Sequence, residues 1–195
     1  MTEQETGVLE RLAAAGLEKC LLKIAKVSGG EWRLGDTRVS TGTLAEAVSL
    51  HKFKDPAAAA VYIHVQDRFP FISLMFFELE DVAHIAKCFV GGSLPAAGAS
   101  VPRFDEEMLL ELGNIILNAI INYLQNTLKK SAIPSVPLML KGDAGYIAEG
   151  LGAHVEPRQN FRIIVSPVSV HGDSRVSRGE VLTIIPLDLA AALAS

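Results

Sequence analysis

Apolar residues Leu9, Leu12, Ala13, Leu17, Cys20, Leu21 and Ile24 recur at helical spacing, with Glu10, Arg11, Glu18, Lys19 and Lys23 facing the other way. That stripe predicts an amphipathic helix over residues 5–27, stopped by Ser28-Gly29-Gly30. A second helical pattern covers residues 104–130, FDEEMLLELGNIILNAIINYLQNTLKK. Its apolar positions run nearly all the way round. Glu107, Glu111, Asn114, Asn118, Asn122 and Gln125 fall on one narrow polar stripe. A helix that is apolar on most sides belongs in a core. What this one leaves to water is a slot of carboxylates and carboxamides with no Lys or Arg before Lys129.

Between and after these helices the pattern shifts to β-formers. Residues 31–40 fit a short hairpin turning at Gly35-Asp36. Residues 43–52 fit a brief helix with Thr43 as N-cap and Glu46 closing a capping box. Residues 59–65 and 71–77 read as two antiparallel strands, followed by a helix over 78–89 that packs through Leu79, Val82, Ile85, Ala86 and Phe89. GGSLPAAGASVP, residues 91–102, is the one extended Gly/Pro/Ser-rich stretch and reads as a loop or linker. Asp105-Glu106-Glu107 places acid in the first turn of the long helix, where its dipole favours it. Residues 133–140 carry two prolines and read as an irregular edge strand, and 141–160 are polar and glycine-containing. Strands over 161–170 and 180–187 and a helical turn over 188–194 complete the chain.

The same rough order of elements thus occurs twice. The expected fold is α+β: pseudo-duplicated halves forming one mainly antiparallel sheet, with two long helices packed on one face. The expected organisation is a single domain, with a first half over about 1–92, a linker at 93–102 and a second half at 103–195.

Composition narrows the chemistry. With 49% hydrophobic and 21% charged residues, the chain can bury a substantial core. A net charge of −4 and the lack of a basic run argue against a nucleic-acid partner. Cys20 and Cys88 lie far apart among apolar neighbours and read as buried free thiols. The five histidines are scattered, without metal-ligand spacing, so no intrinsic metal site is expected. No apolar run reaches the ~18–20 residues of a membrane span, and the acidic start MTEQETGVLE is unlike a signal peptide. A cytoplasmic location follows as the expectation.

The polar stripe contains Glu111-Leu112-Gly113-Asn114, an E-x-x-N pair one helical turn apart on a single face, with Pro137 downstream. These residues and their spacing resemble the CheC/CheX/FliY family of response-regulator phosphatases, whose pattern is Asp/Ser-x3-Glu-x2-Asn-x22-Pro. Glu111, Asn114 and Pro137 match at the family's spacing. Glu107 stands where the family has Asp or Ser, keeping the acidic character but not the residue. In the first helix the equivalent stretch is Glu10-Arg11-Leu12-Ala13, and Asp36 stands where a proline would be. The first half is therefore expected to be degenerate, with one working site in the second.

The resemblance implies a phosphatase acting on the aspartyl phosphate of a CheY-like response regulator in chemotaxis or two-component signalling. Asn114 would orient the attacking water, and Glu111 would pair with a lysine of the regulator. Glu107 and Pro137 would support them. No cofactor of the chain's own is implied, because the Mg2+ would arrive with the phosphorylated regulator. The resemblance leaves open a CheD-like partner and the oligomeric state. A single site resembles the dimeric CheX type, whereas the chain length is nearer the monomeric two-site CheC type, so a homodimer is one of two alternatives. The alternative is a catalytically silent CheC-like adaptor, as in a flagellar switch. Asn118, Asn122 and Gln125 read as structural.

Overall fold

The computed structural model describes the backbone of residues 2–52, 54, 57–91, 102–129 and 131–195. Helix α1 is Glu3–Ile24, opened by Thr2, whose hydroxyl accepts from the Glu5 amide. Strands β1 (Glu31–Leu34) and β2 (Arg38–Gly42) follow, then helix α2 (Leu44–Leu50). The Thr43/Glu46 capping box at its start is formed. Strands β3 (Ala58–Val65) and β4 (Phe71–Glu78) form the expected antiparallel pair. A 3-10 turn, Leu79–Asp81, leads into α3 (Val82–Val90). The second half contains α4 (Pro102–Leu128), β5 (Leu138–Gly142), α5 (Ala144–Leu151), β6 (Phe161–Gly172), β7 (Arg175–Pro186) and α6 (Leu187–Ala194). The linker expected at 93–102 lies outside the described residues, except that Pro102 opens α4.

All seven strands join one antiparallel sheet in the order β1-β6-β7-β4-β3-β5, with β2 also on β6. The hairpin read at 31–40 does not form. Instead β1 and β2 both pair with β6 as two pieces of one edge strand. The break falls where Gly35, Asp36 and Thr37 face Ser166 and Pro167. Pro167 has no N–H to give the ladder, so only its carbonyl is used, by the Gly35 amide at 2.8 Å. Three residues opposite two make a bulge.

Pairing is duplicated as well as order. β3 pairs with β5 from Ala58↔Gly142 to Tyr62↔Leu138, and β6 pairs with β2 from Phe161↔Gly42 to Val165↔Arg38. Each half lends an edge strand to the other half's hairpin, so a single sheet ties the two together.

α1 and α4 lie on one face of that sheet. Leu9, Leu17, Leu112, Ile116 and Leu124 pack there with Val61, Phe77, Ile164 and Ile185. The opposite face is covered by the short helices: Leu44 and Val48 of α2 and Ile147 and Leu151 of α5 pack on Tyr62, Leu74, Phe76 and Leu182. β3 and β4 are therefore sandwiched on both sides, which is why they read as near-continuous apolar runs.

Three other elements, α5, β6 and β7, depart from the sequence reading. α5 occupies part of the stretch read only as polar and glycine-containing. Gly145 and Gly150 weaken its propensity by about 1 kcal/mol each, and burial of Ile147 and Leu151 offsets that. β6 and β7 extend past their expected ends to a two-residue turn at Asp173-Ser174, both at positive φ. The extension carries His171, Arg175 and Arg178 and projects beyond the last β4 pairing at Gly179, with Arg175 and Arg178 exposed and Ser177 buried.

Candidate active site

α4 explains why one face of an apolar helix stays open. Leu109, Leu112, Leu117, Ile120, Ile121 and Leu124 are fully buried, as is Ile116. Gly113 is buried against β3, where Val61 fills the space a side chain would need. Its small size lets α4 sit low on the sheet, and Asn114, the next residue, comes up beside the contact. The helix also packs on α1, where Gly16 meets Tyr123.

On the outward side, Glu107 and Glu111 are exposed and Asn114 is half-buried. Their i,i+4 and i,i+3 spacing puts the three on one face. Among the described residues neither carboxylate has an ion pair or hydrogen bond. The acidic residue that is engaged is a neighbour, Glu106, whose carboxylate accepts from Lys141 on β5. That ion pair ties the start of α4 to the sheet edge.

The segment carrying Pro137 is fixed separately. Gln125 Nε2 donates to the Ala132 carbonyl at 3.1 Å. The Ser135 amide donates to the His64 carbonyl at 2.9 Å, and the His64 amide donates to Ser135 Oγ at 3.2 Å. Val65 and Pro134 form an isolated bridge. Pro137 is half-buried and immediately precedes β5. The structure thus brings Glu107, Glu111 and Asn114 together on the helix, with Pro137 at the start of the edge strand. The nearby His64 imidazole is held below the usual histidine value, first by burial and second by His154, which stacks on it at 3.9 Å between ring centroids.

One further side chain belongs to this group. Asn118 Nδ2 donates to Asn114 Oδ1 at 2.7 Å and to the Asn114 main-chain carbonyl at 2.9 Å. The i,i+4 spacing was visible in the sequence, but a helix stripe does not say which of its amides touch. In the first half, Glu10 is half-buried on α1 and Ala13 is completely buried. That helix presents no corresponding carboxamide.

Among the described residues no group of three or more His, Cys, Asp or Glu could hold a metal ion, and no helix is long and apolar enough to cross a membrane. Both cysteines are buried free thiols.

No protein-family model matches the chain, and no curated protein matches it in sequence. Solved structures do resemble it. Thermotoga maritima FliY superposes with a TM-score of 0.72 at 12% identity, covering 99% of this chain and 95% of that one. The FliM middle domain of H. pylori gives 0.63 at 9% identity, covering 100% and 98%. CheX of Borrelia burgdorferi, solved in complex with CheY, BeF3 and Mg2+, gives 0.54 at 14% identity, covering 90% and 96%. At such identities the likeness is one of architecture, and it agrees with the duplicated α+β sheet and paired long helices described above. This chain has the fold shared by FliY, CheX and the FliM middle domain.

Proposed function

We propose that this protein accelerates hydrolysis of the aspartyl phosphate of a CheY-like response regulator. The observation that carries the reading is Glu111 and Asn114 displayed together on the open face of a helix whose other side is buried against the sheet. The fold shared with CheX, a protein solved in complex with CheY, supports the same partner class. Phosphoryl transfer needs positioning and charge stabilisation more than covalent chemistry, and a carboxamide on a fixed backbone suits the first task. The Asn114 amide offers a donor and, with one lone pair of Oδ1 taken by Asn118, a second lone pair to hold an in-line water. Glu111, which has no ion pair among the described residues, is free to engage a lysine of the regulator. Glu107 adds a second negative charge one turn earlier, and Pro137 stiffens the adjoining segment. The Mg2+ that the acyl phosphate requires comes with the regulator.

The test is the decay of the phosphorylated cognate regulator alone, with wild type, and with Asn114→Ala or Glu111→Ala. Wild type accelerates decay, Asn114→Ala loses nearly all of the acceleration, and Glu111→Ala weakens regulator binding. A decay rate unchanged by wild type, despite measurable binding, overturns the reading. That outcome is what the adaptor alternative predicts. The likeness to the FliM middle domain favours this second reading, as does the buried Ala13 on α1.

A further inference from the structure

A carboxamide looks nearly the same either way round, so the atom that Asn114 turns outward has to be argued from its partners. Asn118 settles it. The Asn118 atom that lies 2.9 Å from the Asn114 main-chain carbonyl must be the NH2 group, because a carbonyl can only accept. The same nitrogen lies 2.7 Å from the Asn114 side chain, so the atom facing it there must be the oxygen. Both hydrogens of Asn118 Nδ2 are spent on Asn114. The Asn114 oxygen is thereby turned toward the following turn of α4, and its NH2 group points the other way, with no partner among the described residues.

We propose that Asn118 is a positioning residue: it sets the polarity of the Asn114 carboxamide, so that a donor and one remaining oxygen lone pair face the incoming phosphoryl group and its water. This inference rests on the phosphatase reading above. Without Asn118 the Asn114 amide rotates, and its two ends exchange. With aspartate at 118 the partner becomes acceptor-only. It then attracts the Asn114 NH2 group and turns the oxygen outward, toward an anionic substrate.

The experiment is steady-state dephosphorylation of the cognate regulator by wild type, Asn118→Ala, Asn118→Asp, Asn114→Ala and the Asn114→Ala/Asn118→Ala double variant, with thermal melts of each. Asn118→Ala is expected to lower kcat about tenfold at unchanged KM, and Asn118→Asp about a hundredfold, the scale of a misplaced catalytic group. In the Asn114→Ala background, removing Asn118 has no further effect, because its contribution passes through Asn114. A purely structural role for Asn118 would instead lower kcat in step with the melting temperature, and equally in both backgrounds. That result overturns the inference, as does a wild-type kcat in both Asn118 single variants. Failure of wild type itself to accelerate decay overturns the phosphatase reading and this inference with it. Acceleration by wild type that both Asn118 single variants match overturns the inference alone.

Discussion

Replacing Gly113 by alanine tests how the helix that carries the site is seated. A Cβ at 113 would stand 2.5 Å from Val61 Cγ1 and 2.9 Å from Val61 Cβ. Carbon atoms rest at about 3.5–4.0 Å, so α4 and β3 must separate by about 1 Å at this point. Val61 cannot move aside. It is fully buried and pairs with Met75 on β4 and Met139 on β5. Alanine gains about 1 kcal/mol in helix propensity over glycine, whereas overpacking a fixed core costs about 1–3 kcal/mol. Gly113→Ala is therefore expected to be destabilising by about 1 kcal/mol, read as a lower urea midpoint at unchanged m-value. Gly145→Ala is the control. That glycine is exposed in α5, its Cβ would meet only Asp143 Oδ1 at 3.4 Å, and the same exchange should raise the midpoint. Trimming Val61 to alanine in the Gly113→Ala background should return part of the loss. If Gly113→Ala stabilises as much as Gly145→Ala does, the close approach of α4 to β3 is wrong, and so is the seating of Asn114 beside it.

Two other expectations concern stability. Thr43→Ala removes the hydroxyl that caps Glu46 N and breaks the reciprocal box, at a cost of about 1 kcal/mol in chemical denaturation; no change would mean that α2 is held by packing alone. Asp81 is buried and accepts from Arg175 Nη2 at 2.6 Å, Ser177 Oγ at 2.8 Å and the Arg178 amide at 3.2 Å. Burial opposes its ionised form, but these hydrogen bonds outweigh it and hold the carboxyl below its ordinary 3.8. A folded value below the unfolded one gives stability that is complete above about 3.8 and is lost as pH falls through the folded value. Asp81→Asn should thus lower the melting temperature at neutral pH, with the gap to wild type narrowing as pH falls below the ordinary carboxyl value; a gap that does not depend on pH would assign the loss to packing.

Much of this was legible in the sequence, for reasons that differ by element. The helical period of Leu9 to Ile24 and the apolar cylinder around Asn114 announced both long helices, because helical spacing alone brings those residues to one side. Thr43 and Glu46 announced α2, since a capping box is closed by residues three apart. The strands β3 and β4 stood out as apolar runs because both of their faces are covered. The failures were those in which distant partners decide. Glu31–Ser40 looked like a hairpin because Gly35-Asp36 is a good turn, but both of its arms bind β6, and Pro167, far along the chain, breaks the ladder between them. α5 was hidden by Gly145 and Gly150, whose cost is met only once Ile147 and Leu151 reach the second core.

The candidate site divides in the same way. Glu107, Glu111 and Asn114 share a face by helix geometry alone, so their alignment was already determined by the order of residues, as was the absence of an equivalent pair on the first helix. Which side of α4 meets water was decided by the tertiary structure, through the packing of Gly113 on Val61 and of α1 on the neighbouring face. So was the tethering of the Pro137 segment to Gln125 and His64. The pairing of Asn118 with Asn114 stands between the two. Their spacing permits it, but only the rotamers chosen in the packed helix let a single NH2 group hold both oxygens and so decide which end of Asn114 faces outward.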